Sequence, residues 1–110
     1  MKQTLRIAAS IALASATLPA FAQGDVNNGR VLAYTCAGCH GVPGYKNVYP
    51  HYHVPKIGGQ NYEYLIAALN AYRSGERRHP TMRAQAESYT EQEIRDISAF
   101  LSSLNTSDRK

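Results

Sequence analysis

Nothing in this sequence alternates apolar and polar residues as a half-buried strand does, and it contains no internal repeat or low-complexity tract. An all-α domain is expected. Charge of one sign is scarce too. Twelve Lys and Arg face eight Asp and Glu, a formal +4, too little for bulk attraction to nucleic acid or an anionic membrane. No stretch beyond residue 22 stays apolar for the ~20 residues that a membrane-crossing helix requires. Cysteine is limited to Cys36 and Cys39. A disulfide between them would close so small a loop that it would restrain the unfolded chain only slightly.

What is present first reads as an address. A short basic start (Lys2, Arg6) precedes an apolar and small-residue run from Ile7 to Leu18, and Ala20-Phe21-Ala22 has the small-x-small pattern that a signal peptidase cuts after. Residues 1–22 are therefore expected to be a cleaved signal peptide, with export to the periplasm. Residues 23–110 are then a single mature domain, with no second domain. Losing Lys2 and Arg6 lowers the net charge from +4 to +2. A domain this small struggles to stabilise itself by a hydrophobic core alone.

The pentapeptide Cys36-Ala37-Gly38-Cys39-His40 points to what supplies the remainder. Cys-x-x-Cys-His is the attachment sequence of a c-type haem. On a helix, positions i, i+3 and i+4 project from one face, so two thiols and an imidazole can address one flat object. The thiols would bond to the porphyrin vinyl groups and His40 would ligate the iron.

Around that motif the periodicity predicts a helix over residues 26–35, capped by Asp25, with Val26, Gly29, Leu32 and Ala33 facing inward. Four Gly and three Pro fall in residues 41–60, which predicts a loop. A second helix is expected from Asn61 to about Ser74, with Leu65, Leu69 and Tyr72 on one face and Gly75 as its stop. Residues 76–88 are polar and broken by Pro80, and read as a loop with a helical turn after Met82. Thr90-Glu91-Gln92-Glu93 is a capping box that opens a last helix to about Leu104, with Ile94, Ile97, Phe100, Leu101 and Leu104 as its apolar stripe.

The far side of the iron needs a ligand, and outside the motif His51, His53, His79 and Met82 are candidates. Met82 is the choice here. Its loop lies between two amphipathic helices, which lets the chain wrap round the ring. An apolar thioether within Arg78-His79-Pro80-Thr81-Met82-Arg83 also needs a specific reason. The segment from Tyr45 to Val54 is unusually rich in Tyr and His. It reads as a rim over the ring edge, with the alternative that His51 or His53 binds a metal or replaces Met82 in some state.

Gly29-Arg30, the pentapeptide followed by Gly41, Pro55-Lys56-Ile57-Gly58-Gly59-Gln60, Tyr72-Arg73-Ser74-Gly75-Glu76-Arg77, Met82 and Ala99-Phe100-Leu101 occur in that order. On these, residues 24–104 resemble the class I c-type cytochromes, most of all a single haem domain of the cytochrome c4 type or a short one-haem relative. The resemblance implies three main helices and loops wrapped around one covalent haem c. Cys36 and Cys39 would hold the thioethers, and His40 and Met82 would be the axial ligands. The Pro55 carbonyl would accept the proton of the other His40 ring nitrogen, and Tyr72 and Arg77 would lie near the haem propionates. Gly29 and Phe100 would mark the crossing of the first and last helices.

A zinc site is disfavoured because His51-x-His53 is too closely spaced. A thiol–disulfide oxidoreductase is disfavoured because no strand precedes the cysteines. The expected function is one-electron transfer between redox protein partners, without enzymatic activity. The run of Arg73, Arg77, Arg78 and Arg83 offers a docking surface for an acidic partner. The alternatives are a haem subunit of a larger dehydrogenase, or an open-site gas sensor or peroxidase-like protein if Met82 does not stay bound.

Overall fold

A computed structural model describes residues 23–42 and 54–104. The expected signal peptide, the Tyr- and His-rich loop with His51 and His53, and the C-terminal residues lie outside the described residues. Those described form five helices and no strand: α1 (Val26–Leu32), α2 (Tyr34–His40), α3 (Tyr62–Ser74), α4 (Pro80–Glu87) and α5 (Glu91–Ser103).

The first expected helix is two. Asp25 caps α1 by accepting from the backbone N–H groups of Asn27 (2.8 Å) and Asn28 (3.3 Å). At Ala33 ψ opens to −3°, which interrupts the helix, and α2 restarts to carry the whole pentapeptide. Ala33 is itself buried in the main apolar cluster with Leu65, Ile97, Phe100 and Leu101. The chain thus turns where a small side chain is pinned against the core. Of the residues expected to face inward, Gly29 and Ala33 are buried, whereas Val26 is exposed.

Gly29 is where α1 crosses α5. A Cβ placed there would lie 1.9 Å from the Asp96 carbonyl oxygen and 2.9 Å from Phe100 Cβ, so only glycine allows this approach. Buried Asp96 fastens the same crossing. Its carboxylate accepts from the Asp25 N–H (2.8 Å), Asn28 Nδ2 (2.7 Å) and Gln92 Nε2 (2.9 Å). Burial alone would raise the Asp96 pKa, but these hydrogen bonds outweigh it and hold the carboxyl below its ordinary value.

Helix α3 begins with the Asn61 side chain capping the Tyr64 N–H and ends at Gly75, whose φ of 82° is left-handed. The capping box of α5 forms as expected, Glu93 N–H to Thr90 Oγ1 at 3.2 Å and Thr90 N–H to Glu93 Oε2 at 2.7 Å. Its Ile94, Ile97, Phe100 and Leu101 are buried.

Residues 76–88 are the clearest departure from expectation, because Pro80 begins a helix of eight residues rather than breaking one. At the first helical position a proline loses nothing, since its missing N–H would have had no partner and its φ is already helical. The helix therefore starts before Met82.

Candidate cofactor site

A cavity of about 450 Å³ lies between α2, α3, α4 and α5 and the segment at residues 54–57. Cys36, Cys39 and His40 enter it from α2, while Met82 enters from α4. Its inner wall is aliphatic, built from Leu65 and Leu69 of α3 and Ile97 and Leu101 of α5. Pro55, Tyr72 and Arg77 line it too. Every residue singled out in the described sequence for cofactor contact thus reaches one space.

His40 is 8% exposed, and its Nδ1 lies 2.7 Å from the Pro55 carbonyl oxygen. A carbonyl only accepts, so Nδ1 carries a proton, and in the neutral ring the Nε2 lone pair is then free. That is the state of a metal-ligating imidazole. The Cys36 and Cys39 thiols are free. Burial is the main influence on the Cys36 thiol and pushes its pKa up, opposite to the depressed value that a thiol–disulfide catalyst needs.

At the rim, the Arg77 guanidinium lies 4.8 Å from the centroid of the Tyr72 ring and donates from Nη1 to the Tyr64 hydroxyl at 3.3 Å. Tyr64 was not anticipated. It shares a helical face with Ala68 and Tyr72 at four-residue spacing, and all three line the cavity. A second unanticipated pair ties the attachment helix to the turn before α5, with Thr35 Oγ1 and Tyr89 Oη 2.6 Å apart. A hydrogen bond between two mobile hydroxyls leaves no periodic trace in sequence.

The arginine run is not a uniform basic patch. Arg73 pairs with Glu91 and also donates to Asn70 Oδ1 at 2.6 Å, and Arg83 pairs with Glu87 at 2.7 Å. Arg77 and Arg78 remain exposed, and Arg77 lines the cavity. No helix among the described residues is long and apolar enough to cross a membrane.

The donor set suits a covalent haem. Two thiols and a ring nitrogen with a free lone pair share one helix, beside an aliphatic slot with a cation at its mouth. Comparison with known proteins agrees. The chain is 35% identical over 83 residues to cytochrome c-554(548) of Halomonas halodenitrificans, a match covering 73% of this chain and 96% of that one. It is 32% identical over 90 residues to the cytochrome subunit of sulfide dehydrogenase of Chlorobaculum tepidum, covering 82% of this chain and 78% of that one. Against cytochrome c4 of Pseudomonas aeruginosa it is 31% identical over 88 residues, 80% of this chain but 42% of that longer protein. The Cytochrome c family matches residues 26–105, which lie across the five helices and the cavity between them, so the chain belongs to the cytochrome c family and its cofactor is covalent haem c.

Proposed function

We propose that this protein carries single electrons between redox proteins of the periplasm. In this reading Cys36 and Cys39 hold haem c as thioethers and His40 and Met82 are the axial ligands. The observation that carries it is the pairing of His40 and Met82 in one cavity, with the His40 ring fixed by Pro55. Bound haem c supplies a one-electron iron couple.

The chain's own residues then set the properties of that couple. The Pro55 carbonyl fixes the tautomer and ring direction of His40 and increases its donor strength. The Met82 thioether favours the reduced state and raises the potential. Leu65, Leu69, Ile97 and Leu101 exclude water, which disfavours the more charged oxidised centre. Arg77, held by Tyr72 and Tyr64, neutralises carboxylates at the mouth. With Arg73 and Arg83 already paired and Arg77 engaged at the mouth, Arg78 is the charge of this run left to steer an acidic partner. Residues 1–22 act as the export signal, cleaved after Ala22.

Optical spectra of the purified holoprotein, oxidised and reduced, with and without carbon monoxide, test this. A low-spin spectrum that ignores the gas is expected. Prompt gas binding would refute the closed carrier and favour the open-site reading. Similarity to a cytochrome subunit of sulfide dehydrogenase supports a second reading, in which the same centre serves one fixed dehydrogenase partner. Stoichiometric co-purification with such a partner distinguishes that case, and recovery as a free protein excludes it.

A further inference from the structure

We propose that His79 is a positioning residue for Met82, holding the first turn of α4 in the conformation that presents the thioether to the cavity. This rests on Met82 being the distal ligand.

Helix α4 has eight residues, too few to hold its shape unaided. Its first N–H groups have no partner within the helix. Pro80 removes one of them, and the next that matters is the N–H of Met82 itself. The His79 imidazole accepts it, Nδ1 to Met82 N at 3.2 Å. His79 is extended at φ −163° and ψ 104°, the backbone state of a helix cap. Accepting at Nδ1 places the ring proton on Nε2.

A serine or aspartate could accept the same bond, but it could not reach the next contact. The His79 ring meets Tyr72 edge-on, with centroids 6.2 Å apart and planes at 75°. Tyr72 is in turn covered by Arg77, whose own backbone N–H is anchored to the Ala71 carbonyl at 3.0 Å. The end of α3 therefore fixes the His79 ring, and the ring fixes the backbone of Met82. His79, Tyr72, Arg77 and Met82 all line the same cavity.

The test compares His79→Ala and His79→Asn with wild type and Met82→Ala as holoproteins. It reads carbon monoxide binding to the reduced form and the sulfur-to-iron charge-transfer band of the oxidised form. Losing a helix cap costs about a factor of five in the closed population. His79→Ala should therefore bind the gas about fivefold faster than wild type, with a weakened band, and His79→Asn should restore part of the difference, because its amide oxygen caps the same N–H but does not reach Tyr72. If His79→Ala behaves as wild type while Met82→Ala loses the band, the positioning role is overturned and the ligand assignment survives. If Met82→Ala changes neither signal, the ligand assignment itself fails. Equal defects in His79→Ala and His79→Asn would also overturn capping. Amide hydrogen exchange of wild-type holoprotein needs no variant. The Met82 N–H should exchange at least about fivefold more slowly than that of Thr81, and equal rates would refute the proposal.

Discussion

Gly29→Ala should be strongly destabilising. The new Cβ would sit 1.9 Å from the Asp96 carbonyl oxygen and 2.5 Å from its carbonyl carbon. Carbon and oxygen approach no closer than about 3.3 Å even in favourable C–H···O contacts, so α1 and α5 must part by more than about 1 Å. Both obstructing atoms are backbone, and no rotamer change relieves them. The separation also stretches the two bonds that fasten the crossing, Asp25 N–H to Asp96 Oδ1 at 2.8 Å and Asn28 Nδ2 to Asp96 Oδ2 at 2.7 Å.

Three magnitudes decide the outcome. Alanine gains about 1 kcal/mol over glycine from helix propensity. Overpacking costs about 1–3 kcal/mol, and weakening hydrogen bonds to a buried carboxylate costs about 1.5–3 kcal/mol more. The net loss should be about 1.5–5 kcal/mol. Denaturant unfolding of the holoprotein measures it, as a lower midpoint with an unchanged slope. Gly38→Ala is the matched control, because a Cβ there meets nothing within 4 Å. If Gly29→Ala and Gly38→Ala unfold at the same midpoint, the two helices do not cross this closely and the reasoning fails.

Replacing Cys36 and Cys39 together by Ser should leave little stable protein, since so small a domain depends on its macrocycle; equal recovery of folded, haem-free double variant would refute this. Met82→His should preserve six-coordinate iron and lower the reduction potential, while an unchanged spectrum and potential would assign the distal position to another residue. Asp96→Asn should cost about 1–3 kcal/mol near neutral pH, because the amide has one accepting oxygen for three donors. The folded Asp96 carboxyl titrates below its ordinary value. Its contribution is therefore complete above the unfolded pKa of about 3.9 and disappears as pH falls through the lower folded value. A stability gap between wild type and Asp96→Asn that widened on acidification would contradict that sign.

The proximal half of the site was legible in the sequence because its chemistry is local. Cys36, Cys39 and His40 are separated by fixed helical steps, and the capping box of α5 is four consecutive residues. Pro55 entered only through the resemblance, since fifteen residues of separation give no physical signal for a backbone carbonyl. The distal half was harder. Pro80 stops a helix when it lies inside one and starts a helix when it lies first, and composition alone does not say which. The cap that resolves the question is His79, a residue outside the usual Ser, Thr, Asp and Asn set. Half of the arginine run is paired for a related reason. Arg83 and Glu87 pair one turn apart within α4, but Arg73 of α3 meets Glu91 of α5 only when those two helices pack.

The two sides of the cavity are also anchored unequally. His40 is buried, its ring is fixed by a backbone carbonyl, and its helix follows an α1 locked to α5 at Gly29 and Asp96. Met82 is half-buried on a short helix whose first turn depends on one exposed imidazole at 3.2 Å. Local opening follows the elements with the fewest buried contacts. With Met82 as the proposed distal ligand, the distal side is where this centre should yield first, and α4 rather than the attachment helix should set how firmly the iron is closed. A carrier and an open-site protein could share the same pentapeptide and differ only in how well the turn at His79 holds. On that assignment the functional distinction would lie in residues 79–82, where the sequence carries no recognised motif, and the strength of one helix cap would separate the two behaviours.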